Sequence, residues 1–149
     1  MENYIVPRQL QKDGVGFVKL KPQSKVPFEK EWQNNPYNYS SINEWVSANN
    51  NYGIIGGYGD LVVIDADTEE LRCIIKEKLC QTFSVKTPKK GEHFYFYCKG
   101  LDAKVVLNKG NVHHGEIIAK GSQVVGAGSI HPETGTEYTV ENDIDIANI

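Results

Sequence analysis

The stretch from Leu61 to Asp67 constrains this chain more than any other part of the sequence. It opens with four apolar residues, three of them β-branched, a pattern typical of a strand buried on both faces. Asp65 and Asp67 follow, and because side chains alternate along a strand they project from one face, roughly 6–7 Å apart. Two acids at the end of a buried strand are costly unless a cation neutralises them. The stretch therefore predicts a site for divalent ions, or alternatively a helix that Asp67 caps.

Length and composition indicate one globular domain over residues 1–149. The 40% hydrophobic and 23% charged residues are ordinary for a soluble protein. The sequence shows no apolar run near the roughly 18–20 residues of a membrane span, and its start does not resemble a signal peptide. Three cysteines without metal-ligand spacing predict reduced, buried thiols and a cytoplasmic location.

Charge is unevenly distributed along a chain whose formal net charge is −3. Between Lys86 and Lys120 there are seven lysines and three acids, whereas five acids and no Lys or Arg follow Gly121. A local basic surface beside metal-binding carboxylates suits an anionic substrate that carries its own metal. The alternative is the solvated face of a sheet.

Hydrophobic periodicity predicts an α+β fold in which the sheet dominates. A capping box at Ser41–Glu44 predicts the start of a first helix, and a second helix is expected over residues 69–79. Gly56 and Gly57 are interpreted as a turn rather than as a backbone that a nucleotide approaches. Strands are predicted over residues 16–20, 52–55, 61–65, 83–87, 93–98, 104–107, 116–119, 123–125 and 137–140.

Two further segments carry residues suited to chemistry. One is Lys89-Lys90-Gly91-Glu92-His93, a basic glycine turn that leads into a histidine at a strand start. The other is Gly115–Gly121, in which Glu116 opens an apolar strand and Lys120 follows it. Phosphoryl transfer with paired divalent ions needs carboxylates for the hard metal ions, and a basic surface suits an anionic substrate.

The order acid-x-acid, Gly-x-His and a third acid resembles the archaeo-eukaryotic primase superfamily. Within it the chain is most similar to the bifunctional DNA primase/polymerase (prim-pol) domain. Flanking segments extend the resemblance from about Gly14 to Val140. These segments are Lys25-Val26-Pro27-Phe28 with Trp32, Asn51–Ile54, Gly121–Val125 and Ser129-Ile130-His131-Pro132 with Gly135 and Tyr138.

The resemblance implies a role for each matching position. It implies an RRM-like core of mostly antiparallel or mixed sheet with flanking helices. Asp65, Asp67 and Glu116 match the catalytic acids that hold two Mg²⁺ or Mn²⁺ ions. His93 matches the histidine that contacts the triphosphate. The remaining nucleotide-binding candidates are Lys89, Lys90, Gly91, Lys120 and Ser129.

Further histidines and tyrosines are interpreted as structural. Adjacent His113 and His114 are expected to point apart in a loop, and His131 is expected to be structural. Tyr95 and Tyr97 are predicted to be core or sheet-surface residues rather than platforms for base stacking.

Two properties of the acids and His93 are also expected. Repulsion should raise the proton affinity of at least one aspartate, so that Asp65→Ala leaves the fold intact or slightly stabilised. His93 should face the aspartates and be open to solvent.

The predicted function is a metal-dependent DNA primase/polymerase that extends or synthesises primers from nucleoside triphosphates. Its partners would be nucleoside triphosphates, a weakly and non-specifically bound DNA template/primer, and a helicase or another replication protein, with no membrane. One alternative is a catalytically idle nucleotide- or nucleic-acid-binding module of a replication assembly. Another is a metal-dependent nuclease, against which the lysine loop argues.

Overall fold

The computed structural model describes residues 4–149, and within that range the chain forms two β-sheets and two α-helices. The fold is α+β with mostly antiparallel sheets, as the sequence predicted. The helices are α1 (Tyr39–Ser47) and α2 (Glu69–Lys78). The strands are β1 (Gly16–Leu20), β2 (Asn51–Ile55), β3 (Leu61–Ala66), β4 (Ser84–Lys86), β5 (Glu92–Tyr97), β6 (Val105–Lys109), β7 (Val112–Ile118), β8 (Gln123–Val125), β9 (Thr139–Asn142) and β10 (Ala147–Asn148). Short 3-10 helices cover Arg8–Leu10, Trp32–Asn34 and Tyr58–Asp60.

The larger sheet has β3 at its centre. Its order is β6-β7-β3-β5-β4-β9, and β10 adds a parallel pairing to β5. The smaller sheet has the order β1-β2-β8. Helix α2 connects β3 to β4, and β5 returns between these two strands. This arrangement is compatible with the predicted RRM-like core, which stays a prediction.

The central strand β3 is buried on both faces, as its apolar run predicted. Leu61 and Val63 belong to the main core, in which the two sheets contribute side chains to one cluster. Val62 and Ile64 face the other way, into a second cluster that contains Ile75 of α2. The alternation places Asp65 on the same face as Leu61 and Val63, opposite the face that α2 covers.

Helix α2 begins at Glu69, as predicted, whereas α1 begins before the predicted capping box. The capping box at Ser41–Glu44 was wrong as a helix start, because Asn38 caps α1 by accepting from the Ser41 backbone N–H at 2.9 Å. Asp67 does not cap α2 either. Thr68 takes that position, with its Oγ1 3.2 Å from the Leu71 backbone nitrogen. Asp67 is thus left without the capping role that the alternative interpretation gave it.

Strand β7 begins four residues before the predicted strand and includes both histidines that were expected to lie in a loop. Glu116 therefore lies within a strand and does not open it. The register of β6 and β7 shifts between the pairs Leu107–Gly115 and Asn108–His113, which leaves His114 as the extra residue of a β-bulge. The expectation that His113 and His114 belong to a loop was wrong because the hairpin is longer than its apolar residues indicate.

Other expectations about the chain have mixed outcomes. The glycine turn is confirmed, since Gly57 has a φ of 92° that favours glycine. The cysteines are free, but they are not buried as expected: Cys73 and Cys80 are exposed and Cys98 is half-buried. Neither helix within residues 4–149 is long and apolar enough to cross a membrane. Residues 1–3 lie outside the described range, so the single domain over 1–149 stays a prediction.

Candidate active site

Three predicted site residues form one row across the centre of the larger sheet. Asp65 of β3 pairs with His93 of β5 on one side and with Glu116 of β7 on the other. Side chains of directly opposed residues project from the same face, with Cβ atoms roughly 4.5–5.5 Å apart. The His93 Nε2 atom lies 3.3 Å from the Asp65 Oδ1 atom, and Lys104 Nζ lies 3.7 Å from the Glu116 Oε1 atom. Residues distant in sequence are thus brought together by strand pairing.

Asp67 lies next to this row, two residues after Asp65 and just beyond the end of β3. Its backbone N–H donates to the His114 carbonyl at 2.8 Å, which continues the pairing with β7 by one residue. The Asp67 Oδ2 atom lies 3.3 Å from the Nε2 atom of His113. The side chain of Asp67 is 49% exposed, whereas that of Asp65 is 27% exposed. The pair therefore presents an inner and an outer carboxylate to solvent.

The two aspartates respond differently to their surroundings. Burial and the charge of Asp65 raise the pKa of Asp67 above its usual value. Burial would also raise the pKa of Asp65, but the adjacent His93 ring, which hydrogen-bonds to it, and the charge of Lys25 outweigh burial and lower it. The predicted increase in proton affinity is confirmed for one member, Asp67. We no longer expect Asp65→Ala to stabilise the protein, because the folded state favours the ionised form of Asp65.

His93 faces Asp65 as expected, but the expectation that its ring is open to solvent was wrong. The residue is only 5% exposed, and its Nδ1 atom is buried without a hydrogen-bond partner. The ring of Tyr138 lies beside it, with centroids 6.0 Å apart, and His131 stacks on that tyrosine at 5.9 Å. The carboxy-terminal part of the chain thus covers the histidine. Its predicted contact with a triphosphate stays a prediction.

The loop Lys89-Lys90-Gly91 precedes His93 and has a defined conformation. Lys89 forms an ion pair with Glu133, so its charge already has a partner. Lys90 is exposed, with a φ of 69°, and no ion pair to it occurs within residues 4–149. The Gly91 N–H donates to Thr87 Oγ1 at 2.9 Å and is used within the turn. Lys90 is the member of this loop that remains available to an anion.

The structure separates the last two nucleotide-binding candidates from the acids. Lys120 follows β7 four residues after Glu116, roughly 13 Å along an extended chain, and bridges Gly56 near the smaller sheet. Ser129 is fully buried, and its Oγ both accepts from the Tyr52 N–H at 3.1 Å and donates to the Tyr52 carbonyl at 3.3 Å. Their contacts with a triphosphate stay predictions that this geometry does not support.

Three basic residues near the acids received no role from the sequence. Lys25 is exposed and its charge acts on Asp65 and on the buried His131. Lys104 contacts Glu116, and His113 contacts Asp67. The Gly110-Asn111 pair is a typical two-residue hairpin turn and could have placed His113 in a strand. For Lys25 no local signal exists, because its position depends on how the loop packs.

The donor set fits hard divalent ions in its chemistry. Asp65, Asp67 and Glu116 supply carboxylate oxygens, which Mg²⁺ and Mn²⁺ prefer. Burial and the charge of Asp65 raise the pKa of Asp67, and a bound cation would relieve the repulsion between the two carboxylates. Within residues 4–149 no three His, Cys, Asp or Glu side chains already stand in a metal-holding arrangement. Binding would therefore require side chains of the row to rotate.

We expect Asp67→Asn to raise the melting temperature slightly at pH 7, by about 1–2 °C after allowing for solvent screening of this half-exposed group. A carboxyl whose pKa is raised by folding destabilises the protein when it is ionised, so the gain should shrink as pH falls through that pKa. Thermal unfolding of both proteins at pH 7 and pH 4 measures this. Asp102→Asn, which neutralises an exposed loop acid, is the control and should leave the melting temperature unchanged at both pH 7 and pH 4.

The sequence comparisons agree with this geometry. The family model described as "Bifunctional DNA primase/polymerase, N-terminal" (Prim-Pol) matches residues 8–149, which include all the residues of the row. The comparison with curated proteins gives no match. Because the family match covers almost the entire chain, the protein belongs to the Prim-Pol family of bifunctional DNA primase/polymerase N-terminal domains.

Proposed function

We propose that this domain is a metal-dependent nucleotidyltransferase that extends or synthesises primers from nucleoside triphosphates on a DNA template. Membership in the family indicates a primase/polymerase type of nucleotidyltransferase. The observation that carries the finer proposal is the row His93–Asp65–Glu116, with Asp67 beside it just beyond the end of β3. It gathers the carboxylates on one face of a rigid sheet, where a substrate can be held between them.

Each residue of the row has a distinct task in this proposal. Asp65 and Asp67 hold Mg²⁺ or Mn²⁺, with Glu116 as the third acid. When bound, such ions activate the primer 3′-hydroxyl and neutralise the departing pyrophosphate. His93 holds the Asp65 carboxylate by its 3.3 Å contact. Lys104 balances the charge of Glu116 until an ion binds.

The basic residues suit the two anionic substrates. Lys90 is exposed beside the strand that carries His93, where it can contact a triphosphate. Exposed lysines on and around β6 and β7 suit the phosphates of a template, although Lys109 and Lys104 already contact Glu70 and Glu116. With a net charge of −3, the binding of DNA should be weak and independent of sequence. An RRM-like core, a cytoplasmic location and a helicase or another replication protein as partner belong to the same proposal.

The test is extension of a labelled primer annealed to a template, with each nucleoside triphosphate supplied separately and with Mg²⁺ or Mn²⁺. We expect the nucleotide complementary to the template to be added and the other three to be added much more slowly. An idle binding module predicts binding of nucleotide or DNA without extension, and a nuclease predicts a shortened primer. A protein with Asp65, Asp67 and Glu116 all changed to their amides controls for a contaminating polymerase.

A further inference from the structure

The β-bulge in β7 brings His113 to the outer carboxylate of the candidate site. Its Nε2 atom lies 3.3 Å from the Asp67 Oδ2 atom. The two side chains are 46% and 49% exposed, so both have room to turn. Neighbouring His114 is directed elsewhere, with its Nδ1 atom 2.7 Å from Thr68 Oγ1. The bulge thus gives the two adjacent histidines different partners.

A hydrogen bond on the far side of the ring orients His113. Its Nδ1 atom lies 3.3 Å from the Asn108 Oδ1 atom, which can only accept a hydrogen bond. In the neutral ring the proton is therefore on Nδ1, and the lone pair on Nε2 faces the Asp67 carboxylate. The 3.3 Å contact is an ion pair when the ring is protonated, and a bound metal ion would take the place of the Nε2 proton between the two atoms. Asn108 thus prepares an imidazole nitrogen to bind a positive ion.

The spacing and the chemistry of this pair agree with a shared metal ion. Two adjacent ligands of an octahedral ion, each about 2.1 Å from it, lie about 3 Å apart. A histidine that binds a metal commonly donates its other N–H to an amide or carboxylate oxygen, as His113 does to Asn108. An imidazole nitrogen suits Mn²⁺ better than Mg²⁺, which prefers oxygen ligands and retains its water.

We propose that His113 is a nitrogen ligand of the metal site formed with Asp65 and Asp67, and that it biases this site toward Mn²⁺ over Mg²⁺. The inference rests on the part of the proposed function that assigns metal binding to the aspartates. It adds a residue outside the three acids and explains why a bulge at this position directs a histidine toward Asp67. Glu116 lies on the same strand as His113 and is already contacted by Lys104, whereas the His113 imidazole faces Asp67.

The test is Mn²⁺ binding to the purified domain, followed by electron paramagnetic resonance, with pulsed detection of nitrogen-14 coupled to the bound ion. We expect wild type to show imidazole nitrogen coupling, and His113→Ala to lose it. The dissociation constant for Mn²⁺ should rise at least about tenfold in His113→Ala. The dissociation constant for Mg²⁺, from competition with Mn²⁺, should change less than about threefold.

His114→Ala is the matched control, because it removes the adjacent histidine of the same bulge, and it should retain the nitrogen coupling. Mn²⁺ bound without nitrogen coupling, or coupling lost in His93→Asn but kept in His113→Ala, overturns the assignment of His113 and leaves metal binding by the aspartates standing. Absence of Mn²⁺ binding to wild type overturns both. Nitrogen coupling in a protein that extends no primer supports the ligand and rejects only the proposed activity.

Discussion

Asp65→Asn is expected to reduce nucleotide incorporation about a thousandfold or more while the domain stays folded. Asparagine keeps the shape of the side chain and an oxygen that accepts a hydrogen bond from His93, but it removes the negative charge that a metal ion needs. Loss of about 4 kcal/mol of transition-state stabilisation corresponds to a thousandfold in rate, within what metal-ion catalysis contributes. Single-turnover primer extension measures the rate, and thermal unfolding measures the fold.

Asp65→Ala separates the catalytic role of this carboxylate from its structural role. Alanine leaves the Nε2 atom of His93 without its partner, in a ring whose Nδ1 atom is already buried and unpaired. An unsatisfied buried polar group costs about 1–3 kcal/mol. We therefore expect Asp65→Ala to be inactive and clearly less stable, and Asp65→Asn to be inactive with a smaller loss of stability, because the amide keeps the hydrogen bond from His93 but loses the stabilising charge. Incorporation by Asp65→Asn near the wild-type rate would contradict the catalytic role.

The pH dependence of stability provides an independent check on Asp65. A carboxyl whose pKa is lowered by folding stabilises the protein above its unfolded pKa, and this stability is lost as pH falls through the folded pKa. Asp65→Asn should therefore unfold with a weaker dependence on pH than wild type in the acid range. Urea unfolding across that range measures the difference.

The elements of the site could be predicted from sequence because each has a strong local signal. Strand β3 has a continuous apolar run, and its alternation placed Asp65 and Asp67 on one face. The strand that carries His93 follows a glycine turn, which is also a local signal. The resemblance to a known family then connected these segments to Glu116, and the strand pairing that places Glu116 beside Asp65 agrees with it.

The parts that escaped prediction depend on contacts between distant residues. The bulge at His114 arises from the register between β6 and β7, which the apolar residues of neither strand fix. The burial of His93 depends on Tyr138, about forty-five residues downstream, whose ring packs beside it. The burial of Ser129 also depends on a distant residue, because its hydroxyl accepts a hydrogen bond from the Tyr52 backbone N–H. Whether a side chain is open to a ligand therefore depends on tertiary packing, which sequence motifs do not specify.

His93→Asn is expected to lower kcat about 10- to 100-fold, with the KM for nucleotide changed less than about threefold. The ring is buried and its Nε2 atom contacts Asp65, so the geometry favours a histidine that positions the carboxylate over one that contacts the triphosphate. A hydrogen bond to a charged group contributes about 1.5–3 kcal/mol, which sets the expected range. Steady-state primer extension at varied nucleotide concentrations measures both constants.

His131→Asn is the matched control for this variant. His131 is also a buried histidine, and it lies against the same Tyr138 ring, but its Nδ1 atom accepts from the backbone N–H groups of Glu133 and Thr134. Both variants should lower the melting temperature, because both replace a packed ring by a smaller side chain. Only His93→Asn should lower kcat, since only His93 contacts a carboxylate of the row. A rise in KM with kcat unchanged would instead assign His93 to the triphosphate, and equal kinetic effects of the two variants would make it a purely structural residue.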